Sequence, residues 1–153
     1  MTEKNLVYRG KSKDVFRITS GAYKGKYRFV FTDRGTGYFE NGKPVFDPGY
    51  DVVVGEIPGK GAILNKMSLF WFQKMEDIIG NHIVSADAAD FPAECEPYAE
   101  VLQGRSMLVR KATPLPVECI VRGYLAGSGW QEYRRDQSVS GIQLPGDLKE
   151  SCR

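Results

Sequence analysis

The sequence is poor in the residues that build metal centres and disulfide frames. It has one histidine, His82, and three cysteines, Cys95, Cys119 and Cys152. A single histidine excludes a multi-histidine metal site. Three widely spaced cysteines with no C-x-x-C pair fit reduced thiols rather than a disulfide scaffold or a zinc site. Reduced thiols point in turn to the cytoplasm. Charge of one sign is also scarce: 21 Lys and Arg against 19 Asp and Glu leave a net +2, too little to suggest a nucleic-acid partner. No apolar run is long enough to span a bilayer, and no basic-then-apolar leader opens the chain, so no membrane association is expected. Internal repeats and low-complexity segments are absent. What is there is 153 residues of globular composition, enough for one domain with a core, or one domain plus part of another.

Residues 6–8 and 15–18 read as two strands of a hairpin, with Arg9-Gly10-Lys11-Ser12-Lys13-Asp14 as the turn. Glycine lets a backbone approach a ligand closely, and lysines at alternate positions can face phosphates. The Walker A spacing is missing, and a solvated basic turn fits the same residues. Residues 27–32 alternate as a third strand. Within the segment 35–50, Glu40-Asn41-Gly42-Lys43 reads as a hairpin turn. Pro58-Gly59-Lys60-Gly61 then breaks the chain before a helix predicted over 62–79. In that helix Leu64, Met67, Trp71, Met75 and Ile78 recur at helical steps, widened by Ile63, Phe70 and Ile79. This stripe is expected to be core packed on the sheet. Gly80-Asn81 supplies a stop.

A connector over 86–97 and a helical turn near 98–102 lead to a strand over 105–111. Pro114 and Pro116 mark a joint, a common place for a cofactor. Residues 117–121 read as a buried strand carrying Glu118 and ending at Arg122. Gly-Tyr-Leu-Ala-Gly-Ser-Gly then leads into a helix, WQEYRRDQ. An arginine, a small-residue loop and a helix N-terminus together suit an anion, with Ser128 as N-cap or ligand. An ordinary strand–turn–helix explains the spacing as well. A short strand over 139–144 follows.

The run ECIVRGYL-x-GS-x-W-x-EY, here residues 118–125 and 127–133, resembles the signature of the SAICAR synthetase family, as does the segment over 140–151, where the family carries a run like SGI-x-LP-x-GLKES and this chain has Asp147 at the second glycine. The family's TDR is matched at Thr32-Asp33-Arg34, its GK-x-K loop at Lys11 and Lys13, and its NH-x-x-S segment at Asn81, His82 and Ser85. After TDR the chain departs from the family's SAFD-like run. Residues 35–50 are treated as an insertion and Asp51 is aligned with the acidic residue, which leaves Asp33 and Asp51 as lesser site candidates. His82 fits a structural role better than a chemical one.

The resemblance implies an α+β fold. It predicts an antiparallel sheet with a packed helix, like the small lobe of kinase-like and ATP-grasp enzymes, over residues 1–115. A hinge would lie near 110–116, and a second, incomplete α+β lobe would begin at 116–153. It implies ATP contacts from Lys11, Ser12, Lys13 and Val15, from the hinge backbone at Arg110, Lys111 and Ala112, and from Glu118, whose alternative is a satisfied strand carboxylate. It implies ribotide contacts from Arg122 and Ser128. Mg²⁺ would be held by residues outside this segment.

The implied reaction is purine-biosynthetic ligation. ATP activates the carboxylate of carboxyaminoimidazole ribonucleotide as an acyl phosphate, which the amine of L-aspartate attacks. Family proteins are longer, so the chain reads as an N-terminal fragment, inactive alone and self-associating into a homo-oligomer through uncovered apolar faces. The alternative is a non-catalytic nucleotide-binding module, which has no use for VRGYLAGSGW. A hydroxyl phosphotransferase would want an Asp base that is not evident.

Overall fold

The computed structural model describes residues 5–117 and 119–152. The chain divides into two compact units, one up to Thr113 and one from Pro114. The fold is α+β with antiparallel sheets.

The first unit is built on a five-stranded antiparallel sheet of order β1-β2-β3-β8-β7. Its strands are β1 (Leu6–Arg9), β2 (Lys13–Arg17), β3 (Tyr27–Phe31), β7 (Ile83–Ser85) and β8 (Ser106–Val109). Alternation divides their side chains between two faces. On one face Phe16, Ile18, Val30 and Leu108 pack with Cys95 and Leu102 from the connector. On the other, Phe31, Met107 and Val109 meet Leu64 and Leu69 of helix α1 (Lys60–Lys74). The connector 86–102 is no loose linker: it folds as two 3-10 turns and a four-residue helix, α2 (Ala99–Leu102), and closes the first core.

The α1 stripe corrects the sequence reading. Ile63, Met67, Phe70, Trp71, Ile78 and Ile79 are exposed, Ile78 by 82%. Of the predicted stripe Leu64 does turn inward, but its companions there are Gly61, Asn65 and Leu69. Two of those four positions are not apolar, so a hydrophobicity pattern cannot find the buried line. Gly61 is inside because α1 crosses the backbone of β3: a Cβ there would stand 2.6 Å from the Phe31 carbonyl oxygen. Asn65 is inside because its Nδ2 donates to the Gly104 carbonyl at 3.0 Å. The helix also ends at Lys74, short of the predicted 79, and continues as hydrogen-bonded turns through Ile79.

Residues 34–56 form a separate three-stranded sheet of order β5-β4-β6, from β4 (Arg34–Glu40), β5 (Lys43–Phe46) and β6 (Val53–Glu56). The anticipated hairpin turn is there. Glu40 pairs with Lys43, and Asn41 (φ 51°) and Gly42 (φ 75°) are both left-handed, as a type I′ turn requires.

The second unit holds α3 (Gly127–Asp136) and the small hairpin of β9 (Ser138–Val139) with β10 (Ile142–Gln143). Buried Tyr133 fastens them: its hydroxyl donates to the Pro145 carbonyl at 2.5 Å and accepts from the Leu148 N–H at 3.1 Å. The predicted strand over 117–121 does not form among the described residues. Val117, Ile120 and Val121 are exposed, the last by 96%. β-branched residues supply propensity, but a strand also needs a neighbour to pair with.

Candidate functional site

β2 carries the first group of candidate residues, and its period of two sets Lys13 and Val15 on one face. The Lys13 ammonium lies 4.4 Å from the centre of the Phe29 ring and 5.8 Å from that of Phe31. The rings shelter it from water, and this desolvation pulls its pKa below the usual lysine value. His82 sits against the same Phe29 ring, with centroids 5.5 Å apart, and against Phe72 at 5.2 Å. Burial, aided by the charges of Lys13 and Arg110, holds the imidazole below its ordinary 6.5. Lys13 and Arg110 therefore gather positive potential beside a neutral imidazole and an apolar floor that includes Val15. Such a surface suits an anion with an apolar body attached.

Arg110 leaves β8 with its N–H donating to the His82 carbonyl at 2.7 Å and its guanidinium to the Asn81 carbonyl at 2.8 Å. Lys111 and Ala112 follow as exposed, irregular chain. Lys111 lines an open cavity of about 510 Å³ with Arg17, Lys24 and Gly25.

The hairpin tip is tied down from below. Thr32 N–H donates to the Ser12 carbonyl at 2.8 Å. Arg34 donates to the Gly10 carbonyl at 2.6 Å and, through two nitrogens, to both Asp14 oxygens at 2.6 and 3.2 Å. Lys11 is exposed and paired with Asp51, which gives that acidic residue a definite partner. Asp33 accepts the Gly61 N–H at 2.7 Å, so a carboxylate from the strand side occupies the N-terminus of α1. That bond holds its carboxyl below 3.8 against partial desolvation, with Gly59 and Arg105 adding to it. Sequence reasoning had no role for Arg34; the TDR tripeptide was its signal. Glu118 lies outside the described residues.

In the second unit the structure joins Arg122 and Ser128. The Arg122 Nη2 donates to the Ser128 hydroxyl at 2.8 Å and Nη1 to the Ala126 carbonyl at 3.4 Å. Ala126 is the N-cap of α3, so Ser128 lies inside the first turn and is not the cap. Small residues make this possible: a Cβ at Gly127 would stand 3.3 Å from Arg122 Nη1, and one at Gly129 3.6 Å from its Cδ. An arginine laid across a helix N-terminus adds its charge to the positive end of the dipole. No carboxylate pairs with it among the described residues. Two positive sources stacked in this way are arranged for an anion.

The sequence matches the SAICAR synthetase family over residues 6–153. The chain belongs to the SAICAR synthetase family. It is 50% identical over 149 residues to phosphoribosylaminoimidazole-succinocarboxamide synthase of Geotalea uraniireducens (strain Rf4), covering 97% of this chain and 45% of that protein. The synthase of Pelobacter propionicus is 59% identical over 105 residues, 68% of this chain and 36% of that protein. Among solved structures, the SAICAR-synthase of Saccharomyces cerevisiae complexed with SAICAR superposes with a TM-score of 0.74 at 36% identity, over 95% of this chain and 46% of that one. The chain thus spans just under half the length of these SAICAR synthetase relatives.

Proposed function

We propose that this chain is the ATP-binding lobe, residues 1–115, and the beginning of the second lobe, residues 116–153, of an ATP-dependent ligase that joins L-aspartate to carboxyaminoimidazole ribonucleotide in the cytoplasm. Family membership supports the reaction class. The observation that carries it beyond nucleotide binding is the Arg122–Ser128 pair on the N-terminus of α3, a second anion site in a unit separate from that of Lys13. A nucleotide-binding module needs only one.

In this reading Lys13, with Lys11 and Ser12, faces the ATP phosphates, and Lys11 exchanges Asp51 for phosphate. Val15 packs on the base, while the backbone of Arg110, Lys111 and Ala112, with Glu118, grips adenine across a hinge at 110–116. Mg²⁺, bound by residues outside this chain, would supply charge neutralisation at the phosphates. The ribotide carboxylate oxygen attacks the γ-phosphorus of ATP and ADP leaves. The neutral aspartate amine then attacks the acyl carbon, phosphate departs, and the nitrogen gives up a proton. Arg122 and Ser128 hold ribotide anions through these steps, so no enzyme nucleophile is required.

Arg122→Lys tests this directly. Lysine keeps the charge and loses the planar fork. In a polypeptide of the relatives' length, ribotide affinity should fall by about 1.5–3 kcal/mol, the scale of a charged hydrogen bond. Calorimetric titration that finds affinity unchanged removes Arg122 from the site.

A further inference from the structure

We infer that Arg34 is a positioning residue for the loop Gly10–Lys13, acting on the backbone that presents Lys11, Ser12 and Lys13. This rests on the nucleotide reading proposed above. The loop is short, and its one internal main-chain bond runs from the Gly10 N–H to the Lys13 carbonyl at 2.9 Å. The Gly10 carbonyl is taken by Arg34 at 2.6 Å, and the same guanidinium grips both oxygens of Asp14, the second residue of β2. Arg34 and Asp14 are 19% and 14% exposed, so the pair is largely withdrawn from competing water. Arginine alone among side chains can hold a carbonyl and a carboxylate at once in fixed geometry.

The clamp occupies neither lysine: Lys11 pairs with Asp51 and Lys13 lies over Phe29. Asp14 and Lys13 are adjacent on a strand and point to opposite faces, so the clamp works from beneath while Lys13 lies over Phe29. Arg34 is itself anchored at its backbone, where its carbonyl accepts from the Lys60 ammonium at 2.7 Å. Its neighbours complete the tie: Thr32 N–H holds the Ser12 carbonyl, and Asp33 holds the start of α1. Three consecutive residues thus fix the loop to the helix.

Strand pairing does not depend on the clamp. β1 and β2 pair at Leu6 with Phe16, Tyr8 with Val15 and Arg9 with Asp14, and β2 pairs with β3 along its whole length. Loss of Arg34 should therefore loosen the loop and spare the sheet.

The test titrates ATP·Mg²⁺ and, separately, adenosine into a polypeptide of the relatives' length and its Arg34→Gln variant, with amide hydrogen exchange on both. The expected result is an ATP affinity lowered about tenfold with adenosine binding unchanged. Exchange should quicken at Gly10–Lys13 and stay constant in β3 and β8. Equal loss of ATP and adenosine would make Arg34 merely structural, and unchanged ATP affinity with unchanged loop exchange would overturn the inference. If the wild-type polypeptide of that length binds no ATP, the nucleotide reading itself falls and this one with it. Should Arg34→Gln not fold, Arg34→Lys, which retains the charge and loses the two-pronged grip, is read by the same outcomes.

Discussion

Asp33 shows how one side chain can organise several elements. Its carboxylate fills the N-terminus of α1 through Gly61 and reaches Arg105 at 3.4 Å, while its own carbonyl accepts from Ile57 at 2.7 Å. Replacing it with alanine removes the helix's anionic cap and should destabilise the first unit by about 1–2 kcal/mol in urea unfolding. The pH dependence has a definite sign. The folded carboxyl is held below 3.8 mainly by the Gly61 N–H, so the unfolded chain binds its proton more readily. The stability from Asp33 is therefore fully present above the unfolded value and is lost as pH falls from about 4 through the lower folded one. Asp33→Ala should flatten that part of the acid-unfolding curve. An unchanged slope would mean that the hydrogen bond to Gly61 carries no weight. Cys95 illustrates the opposite shift: burial pushes its thiol up although Arg28 donates to it at 2.7 Å.

Elements differ in how far the sequence discloses them. β2 and β3 were legible because their alternation is satisfied on both faces of one sheet. The Asn41-Gly42 turn was legible because few residue pairs accept two left-handed conformations. α1 was legible as a helix but not in its orientation, since Gly61 and Asn65 face inward for reasons of clearance and hydrogen bonding that hydrophobicity does not register. The run over 117–121 has strand propensity and no partner strand among the described residues. At the candidate site, Lys13, Val15, Arg122 and Ser128 were named from sequence, whereas the Arg34 clamp depends on a contact between residues 20 and 24 positions apart. Close strand approach gives a sharp test of the second sheet. A Cβ at Gly37 would stand 1.9 Å from the Val45 carbonyl oxygen. Gly37→Ala should therefore push β4 from β5 and cost about 1–3 kcal/mol, read by thermal unfolding with exchange at residues 43–46. A fully stable variant with protected amides would contradict the pairing.

The molecule as a whole exposes more large apolar side chains than a closed surface comfortably carries. Phe70, Trp71 and Ile79 of the α1 region are 54%, 51% and 65% exposed, and Ile120 is 64% exposed. The chain covers 45% of its Geotalea relative, and these groups belong to the part both share. Studied alone, the chain should self-associate with increasing concentration and bind a hydrophobic dye. Sedimentation velocity showing a dye-silent monomer at high concentration would mean that these faces are covered by rearrangement within the chain. No helix among the described residues is long and apolar enough to cross a membrane.

In the proposed enzyme two anion sites, one in each unit, serve one ligation. The most direct measurement follows ADP and succinocarboxamide formation from ATP·Mg²⁺, carboxyaminoimidazole ribonucleotide and L-aspartate. It compares this chain alone with the chain continued into the C-terminal part of the Geotalea uraniireducens relative. The long form should give stoichiometric ADP and succinocarboxamide, requiring all three substrates, and the short form none. ATP binding by both forms, with neither ribotide binding nor ligation by either, would contradict this and leave a nucleotide-binding module.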